Sequence, residues 1–345
     1  MDIQEQYMQR ALELAASGLG RVSPNPQVGC VLVTEDGIIG EGFHREHGGP
    51  HAEVEAINAV GDPNLLSHCT LYVNLEPCSH FGKTPPCADL IIESKIPRVV
   101  IANLDPNPKV SGKGVAKLKE AGVEVVTGIS GALGAFLNRR FFTYHERQRP
   151  YIILKWAQTA DGFMAKPNYD SKWISNRQSR QLVHIFRAQE DAILVGRGTA
   201  QYDDPQLTVR GFEGKDPLRV VLDPTMSLSN DLKLFDGSVP TLCYNYLQEG
   251  NDGNVTWIKM PKGGFLANIW QDLHQRGIQS VLAEGGAMLL QSMTEGDHWD
   301  EARVFVAPHL FGEGIKAPVM NTNCVEERLL GEDRLRIFYN QKNHG

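Results

Sequence analysis

Residues 76–87 read EPCSHFGKTPPC, and they follow directly from an apolar run, TLYVNLEP (70–77). The run has the length and the β-branched and aromatic content of a strand bounded by turn residues. Cys78 therefore leaves the end of a strand. Cys87 comes just after Pro85-Pro86, where ADLIIESK (88–95) has the spacing of a helix that a proline pair can open. Upstream, His51-Ala52-Glu53 opens another helical stretch, HAEVEAINAV (51–60), immediately after Pro50. The pattern on either side alternates. A hairpin, QVGCVLVTEDGIIGEGFHRE, turns at Glu35-Asp36-Gly37. A strand (RVVIANLDP), a helix (GVAKLKEAG) and a short strand (VEVVTG) follow the cysteines. This order implies a layered α/β domain.

At 345 residues the chain exceeds what one core usually supports, so two domains are expected. A helical stretch, LNRRFFTYHERQR (137–149), runs to Pro150, and the alternation restarts with YIILKWAQT (151–159). The boundary is placed there, giving domains 1–147 and 148–345. Strands are expected at AILVG, LRVVLD, PTLCYN, VTWIKM, SVLAEGG and EARVFVAPHL, and helices at NRQSRQLVHIFRAQ and FLANIWQDLHQRG. The net charge of −7 is spread evenly over the two halves, so neither is a basic nucleic-acid domain. The N-terminal stretch MDIQEQYMQRALELAASG has helical spacing but is studded with polar residues. It reads as neither a signal peptide nor a membrane span, and a cytoplasmic protein with no membrane partner is expected. Six cysteines in a reducing compartment argue against a disulfide framework and leave metal binding or burial. Cys30, Cys69, Cys243 and Cys324 have no patterned neighbours and are expected to be buried.

Catalytic zinc needs imidazole and thiolate ligands, one coordination position open to water, and a separate group to move that water's protons. Inside a regular helix, side chains at i and i+2 diverge, so His51 and Glu53 can converge only on a helix's first turn. Cys87 at a helix start sits at the positive end of the dipole, which favours a thiolate. Taken singly, a His-x-Glu pair also suits a solvated surface, and two cysteines also suit plain burial. Their order and placement resemble the H-x-E…P-C-x-x-C pattern of zinc deaminases, with eight residues in place of two between the cysteines.

Residues 23–29 (SPNPQVG), 51–53 (HAE) and 76–87 resemble the N-terminal half of the bifunctional deaminase/reductase family of riboflavin biosynthesis. That resemblance implies a cytidine-deaminase-like α/β/α domain and explains the long SHFGKTPP spacer. It implies one zinc per chain held by His51, Cys78 and Cys87, with an activated water as nucleophile and Glu53 as the proton shuttle. It places Asn25, His44, His80 and Lys83 at the phosphorylated pyrimidine.

The second half is less explicit. VGRGTAQYDDP (195–205) follows a strand, but a dinucleotide fingerprint would need Gly where Gln201 stands. SVLAEGGAMLLQ (280–291) reads as a strand, a glycine turn and a helix whose open amides can cradle a phosphate, or as a tight turn and nothing more. The stretches KWAQTADGFMA (155–165), SKWIS (171–175), FRAQEDAILVGRGTAQYDDPQLTVR (186–210), LDP (222–224) and AEGGAMLL (283–290) resemble the reductase half of the same family. That implies a dihydrofolate-reductase-like α/β fold and NADPH as cofactor. Ala157, Trp173, Thr199, Asp203 and Gly286 match cofactor positions; Ser171, Arg187, Leu207, Arg210 and Glu284 match positions at the sugar-phosphate substrate. Asp161 is a candidate proton donor that no neighbouring residue supports. The implied pathway is hydrolytic deamination of 2,5-diamino-6-(5-phosphoribosylamino)pyrimidin-4-one, then NADPH-dependent reduction of ribosyl to ribityl, giving 5-amino-6-(5-phosphoribitylamino)uracil. A homo-oligomer with no nucleic-acid partner is expected. The rivals are a tRNA or nucleoside deaminase fused to an unrelated nucleotide-binding domain, and a structural zinc module, which would need a fourth protein ligand.

Overall fold

Strand β1 (Gly29–Thr34) buries Cys30 and Leu32 in one core and Val31 and Val33 in another. A strand apolar on both faces needs cover on both, and the computed structural model supplies it. The structure describes residues 2–80, 85–108, 110–171 and 174–343. Lys83 and Trp173, two of the expected contact residues, lie outside the described residues. Contacts divide the chain into two compact units, residues 1–148 and 149–345.

The first unit runs α1 (Ile3–Ala16), β1, β2 (Gly37–Phe43), α2 (Ala52–Asn58), β3 (Thr70–Leu75), α3 (Cys87–Glu93), β4 (Arg98–Asn103), α4 (Lys113–Glu120), β5 (Glu124–Thr127), α5 (Gly131–Leu137) and α6 (Arg139–Arg147). The strand order is β2-β1-β3-β4-β5. β1 is antiparallel to both neighbours, whereas β3, β4 and β5 are parallel. Parallel pairing requires crossovers, which α3 and α4 provide. Leu71, Val73, Val99 and Ile101 share a core with Ala52 and Ala56 of α2, Ala88 and Ile91 of α3 and Leu118 of α4. The alternate residues Tyr72, Val100 and Ala102 share the opposite core with Met8, Ala11 and Leu12 of α1. The result is a helix–sheet–helix sandwich.

The second unit runs β6 (Tyr151–Thr159), β7 (Phe163–Ala165), α7 (Arg177–Gln189), β8 (Ala192–Gly196), α8 (Arg197–Asp203), β9 (Leu218–Leu222), β10 (Thr241–Asn245), β11 (Gly250–Asp252), β12 (Val255–Lys259), α9 (Phe265–Gln275), β13 (Ser280–Ala283), α10 (Ala287–Glu295), β14 (Glu301–Ala307), β15 (Ile315–Lys316), β16 (Glu326–Leu330) and β17 (Asp333–Tyr339). Ten strands order as β11-β12-β10-β9-β8-β13-β6-β14-β17-β16. Those from β12 to β14 are parallel, and the outer strands join antiparallel. The central strands β8, β10 and β13 are buried throughout, which accounts for their largely apolar sequences, with polar residues only at strand ends. β13, late in the chain, inserts between β6 and β8, so the loops after these strands gather at one end of the sheet. In open α/β sheets, ligands bind at the carboxyl ends of strands where the strand order switches.

Candidate active sites

His51 is the N-cap of α2, with extended backbone, and Glu53 lies in the helix's first turn, the one place where the two can converge. Cys87 is the first residue of α3, and Cys78 follows the end of β3. His51 Nδ1 stands 3.2 Å from Cys87 Sγ and 3.6 Å from Cys78 Sγ. All three donor atoms lie within 4.8 Å of one another. The backbone N–H of Cys87 donates to Cys78 Sγ at 3.3 Å.

The electrostatics follow from crowding. The neighbouring Cys87 thiol, acting against burial, pulls the Cys78 thiol down to about 4, with help from His51. Cys87 is pushed the other way by Cys78 and by burial. Burial first, and then the Cys78 anion, raise the Glu53 carboxyl to about 6. Two sulfurs and a carboxylate confined beside one imidazole are a charge arrangement that a divalent cation balances. The donor set of one ring nitrogen and two thiols fits zinc, with three protein ligands as in catalytic rather than structural sites. Glu53, 3% exposed, is not among the three clustered donors.

Two of the expected pyrimidine residues, His44 and Asn25, adjoin this cluster. The His44 ring lies edge-on to His51, with centroids 5.6 Å apart. His44 Nδ1 donates to the Pro50 carbonyl at 2.8 Å, leaving Nε2 to accept from Asn25 Nδ2 at 3.0 Å. Burial lowers the His44 pKa, consistent with this neutral tautomer. The loop carrying Asn25 is clamped through Gln27. Asn138 Oδ1 accepts from the Gln27 backbone N–H at 2.8 Å, and Asn138 Nδ2 donates to the Gln27 carbonyl at 2.9 Å. Asn74 of β3 donates to the same carbonyl and accepts from Gly29. His80 is exposed and is felt electrostatically by Asp105.

In the second unit, Arg187 of α7 grips Glu284 at two points, Nε to Oε1 at 2.7 Å and Nη2 to Oε2 at 2.9 Å. Lys155 Nζ stands 3.4 Å from Glu284 Oε2. Burial alone would raise the Glu284 carboxyl, but Arg187 and Lys155 more than offset it and hold it down at about 2. Arg187 Nη1 also donates to the Thr208 carbonyl at 3.1 Å. Two expected substrate residues, Arg187 and Glu284, are thus joined directly. Arg210 has an exposed side chain, and among the described residues no ion pair engages it. The Leu207 side chain is 3% exposed in a core with Ile193, Val195 and Val221, so its contact with a ligand is restricted to main-chain atoms. Ser171 Oγ donates to Asp203 Oδ1 at 3.1 Å, joining an expected substrate residue to an expected cofactor residue.

Gly285 (φ +130°) and Gly286 (φ +63°) lead into α10. A Cβ on Gly285 would lie 3.1 Å from Thr199 Oγ1. The missing side chains leave a backbone cradle facing α8, with positive φ at both positions, and such a cradle suits a cofactor phosphate. Ala157 lies on β6 in a core with Phe305. Asp161 accepts from Thr159 Oγ1, from Phe311 N at 3.1 Å and from Gly312 N at 2.7 Å. These bonds, the Thr159 hydroxyl first, lower its pKa and tie it to the main chain at 311–312.

Two family patterns match the chain. The cytidine and deoxycytidylate deaminase zinc-binding region matches residues 1–103, and the RibD C-terminal domain matches residues 150–330. The riboflavin biosynthesis protein RibD of Aquifex aeolicus is 42% identical over 353 residues, covering 98% of each chain. The chain belongs to the RibD family. RibD of Escherichia coli is 36% identical over 326 residues, covering 89% of this chain and 88% of that one. A crystallised diaminohydroxyphosphoribosylaminopyrimidine deaminase/5-amino-6-(5-phosphoribosylamino)uracil reductase from Thermotoga maritima superposes with a TM-score of 0.89 at 39% identity, covering 97% and 98% of the two chains. Acinetobacter baumannii RibD gives 0.88 at 35% identity, covering 98% and 99%. As a RibD-family member the chain is a bifunctional deaminase and reductase of riboflavin biosynthesis, with zinc and NADPH as cofactors. Its halves carry the cytidine-deaminase-like and dihydrofolate-reductase-like folds. A nucleic-acid deaminase joined to an unrelated domain is not favoured, because the C-terminal match is to RibD itself.

Sequence reading missed Lys155, Glu76 and Asp105 in this RibD chain. A signal existed for Lys155: it stands two residues before Ala157 on one strand, and residues i and i+2 share a face. Glu76 gave none, because its partners lie 29 to 39 residues away. Asp105, raised to about 6 by burial, comes from the loop after β4.

Proposed function

We propose that residues 1–147 deaminate the phosphorylated diaminopyrimidine and that residues 148–345 reduce its ribosyl group, the product being 5-amino-6-(5-phosphoribitylamino)uracil. The observation that carries the reading is the clustering of His51 Nδ1, Cys78 Sγ and Cys87 Sγ beside a buried Glu53. Zinc, when bound by these three, supplies the Lewis acidity that makes a water nucleophilic near neutral pH. Glu53, raised towards neutrality by burial, takes the water's proton and delivers one to the departing amine. Asn25, which His44 fixes, is assigned with His44, His80 and Lys83 to the pyrimidine or its ribose phosphate.

In the second half NADPH supplies the hydride for C1 of the sugar in its ring-opened imine form. Thr199, Asp203, Gly286, Ala157 and Trp173 hold the cofactor. Arg210, Ser171, the main chain of Leu207 and the Arg187–Glu284 pair position the sugar phosphate. The chain is proposed to work in the cytoplasm as a homo-oligomer. Among the described residues no helix is long and apolar enough to cross a membrane, and the sheet-edge strand β16 leaves Leu329 71% exposed. Light scattering at micromolar concentration tests the assembly; a monomer would rule it out.

The catalytic reading is tested by incubating the full chain with the phosphorylated diaminopyrimidine and weighing the products. Exchange of amine for oxo adds about 1 Da without cofactor, and reduction adds about 2 Da more with NADPH. An unchanged mass in both arms would refute it.

A further inference from the structure

The two cysteines ride on different elements, and one cation can bridge them only if those elements keep a fixed separation. α4 touches both carriers. On one side stands Glu76, two residues before Cys78 and 4% exposed. Its carboxylate accepts the backbone N–H groups of Gly112 at 2.9 Å, Gly114 at 2.9 Å and Val115 at 3.1 Å, and that of Asp105 at 3.2 Å. The Gly112, Gly114 and Val115 amides belong to the N-terminal turn of α4, where a helix has no acceptors of its own and where its dipole favours an anion. The N-cap residue, Gly112, has no side chain with which to serve them, so the cap comes from the end of β3. Contact there is tight: a Cβ on Gly114 would lie 2.0 Å from the Pro77 carbonyl oxygen, so the helix rests against the main chain that leads into Cys78.

On the other side, Lys117 of α4 pairs with Asp89, two residues after Cys87. Both side chains are partly exposed, 37% and 24%, so this contact is the weaker one. The thiol segments also bond directly to each other, through Ala88 N to Cys78 O at 3.1 Å and Cys87 N to Cys78 Sγ. Strand end, helix start and α4 thus form a closed triangle.

We propose that α4 is a brace that sets the distance between the two thiol ligands, with Glu76 as its main fastening and Asp89–Lys117 as an auxiliary one. Glu76 is then a positioning residue for the metal site, acting through Pro77 and the main chain. The proposal rests on the zinc reading above. It differs from simple helix capping in one respect: a cap stabilises the whole unit, whereas a brace also tunes the metal geometry.

The test uses the full chain with Glu76→Gln, which keeps shape and loses charge, and Lys117→Met, a partly exposed change that leaves the core intact if the first fails to fold. Met8→Ala, in the core on the opposite face of the sheet, serves as a control for stability loss alone. Zinc affinity is read by competition with a chromophoric chelator, and ligand geometry from the absorption bands of the cobalt-loaded protein. E76Q is expected to bind zinc roughly ten- to a hundredfold more weakly, the range for groups that orient metal ligands, and to shift the cobalt bands. K117M should show a smaller loss in the same direction, and Met8→Ala neither change. If E76Q and K117M keep wild-type zinc affinity and cobalt bands while melting earlier, the brace is refuted and Glu76 is a fold cap. If the wild-type chain binds no zinc, the underlying zinc reading falls instead, which is a separate result.

Discussion

Arg187 and Glu284 meet as a two-point ion pair inside the reductase half, at 2.7 and 2.9 Å, with side chains 11% and 6% exposed. The pair links α7 to the turn after β13 and so holds two candidate substrate elements in register. Breaking one side of such a buried pair leaves an uncompensated charge and costs about 3–5 kcal/mol. Glu284 titrates at about 2 rather than 4.5. Its folded pKa is depressed, so the stability it adds is fully present above pH 4.5 and is lost as pH falls towards 2. Glu284→Gln should therefore be less stable at pH 7, and its deficit relative to wild type should shrink by roughly 2 kcal/mol by pH 3. All five tryptophans lie beyond residue 148, so denaturant titration followed by tryptophan fluorescence reads this half alone. A deficit that does not change with pH would contradict the assignment.

Glu53→Gln should retain zinc, because the clustered donors are His51, Cys78 and Cys87. Loss of the proton shuttle should slow deamination by roughly 10²- to 10⁴-fold. Reduction of the already deaminated intermediate should continue at the wild-type rate. Chelation of zinc should give the same split between activities. Metal analysis alongside two separate assays decides the matter, and loss of zinc from E53Q would count against the assigned role.

Asp161→Asn keeps the size of the side chain but removes a charged acceptor from the Phe311 and Gly312 amides. The expected outcome, for a residue that anchors the loop, is a small fall in melting temperature and a less than tenfold loss of reductase kcat. The pH profiles of variant and wild type should superpose after scaling. A limb missing from the variant's profile would restore Asp161 as a donor.

Gly285→Ala introduces a side chain where φ is +130° and Thr199 Oγ1 would be 3.1 Å away. The cradle should deform, raising KM for NADPH at least tenfold, about 1.4 kcal/mol, while deamination is unaffected. An unchanged KM would remove this turn from the cofactor site.

The deaminase cluster was legible because its ligands sit at element ends that the sequence marks plainly: Pro50 before His51, a buried strand before Cys78, Pro85-Pro86 before Cys87. The alternation of both units was legible for the same reason, through long apolar strands. What escaped was non-local. β16 (EERLL) is mostly exposed and carries no apolar pattern, and β17 (DRLRIFY), with a charged residue between its buried Leu335 and Ile337, pairs with β14, some 30 residues earlier in the chain, as well as with β16. Leu207 reads as a contact residue from its motif, and nothing in the sequence signals its positive φ of +55° or the packing of its side chain in the core. Arg187 and Glu284 each read as residues at the sugar phosphate, but nothing in the sequence signals that, 97 positions apart, they pair with each other.

The Asn138 amide that clasps Gln27 comes from 111 positions downstream, at the junction of α5 and α6. During synthesis, all three sulfur and imidazole donors emerge from the ribosome well before that clasp can close. A nascent chain that has just released β4 would carry all three donors but neither the α4 brace nor one of the two tethers of the loop bearing Asn25. Shortened forms ending near residue 103 should therefore hold the ion more weakly than the full chain.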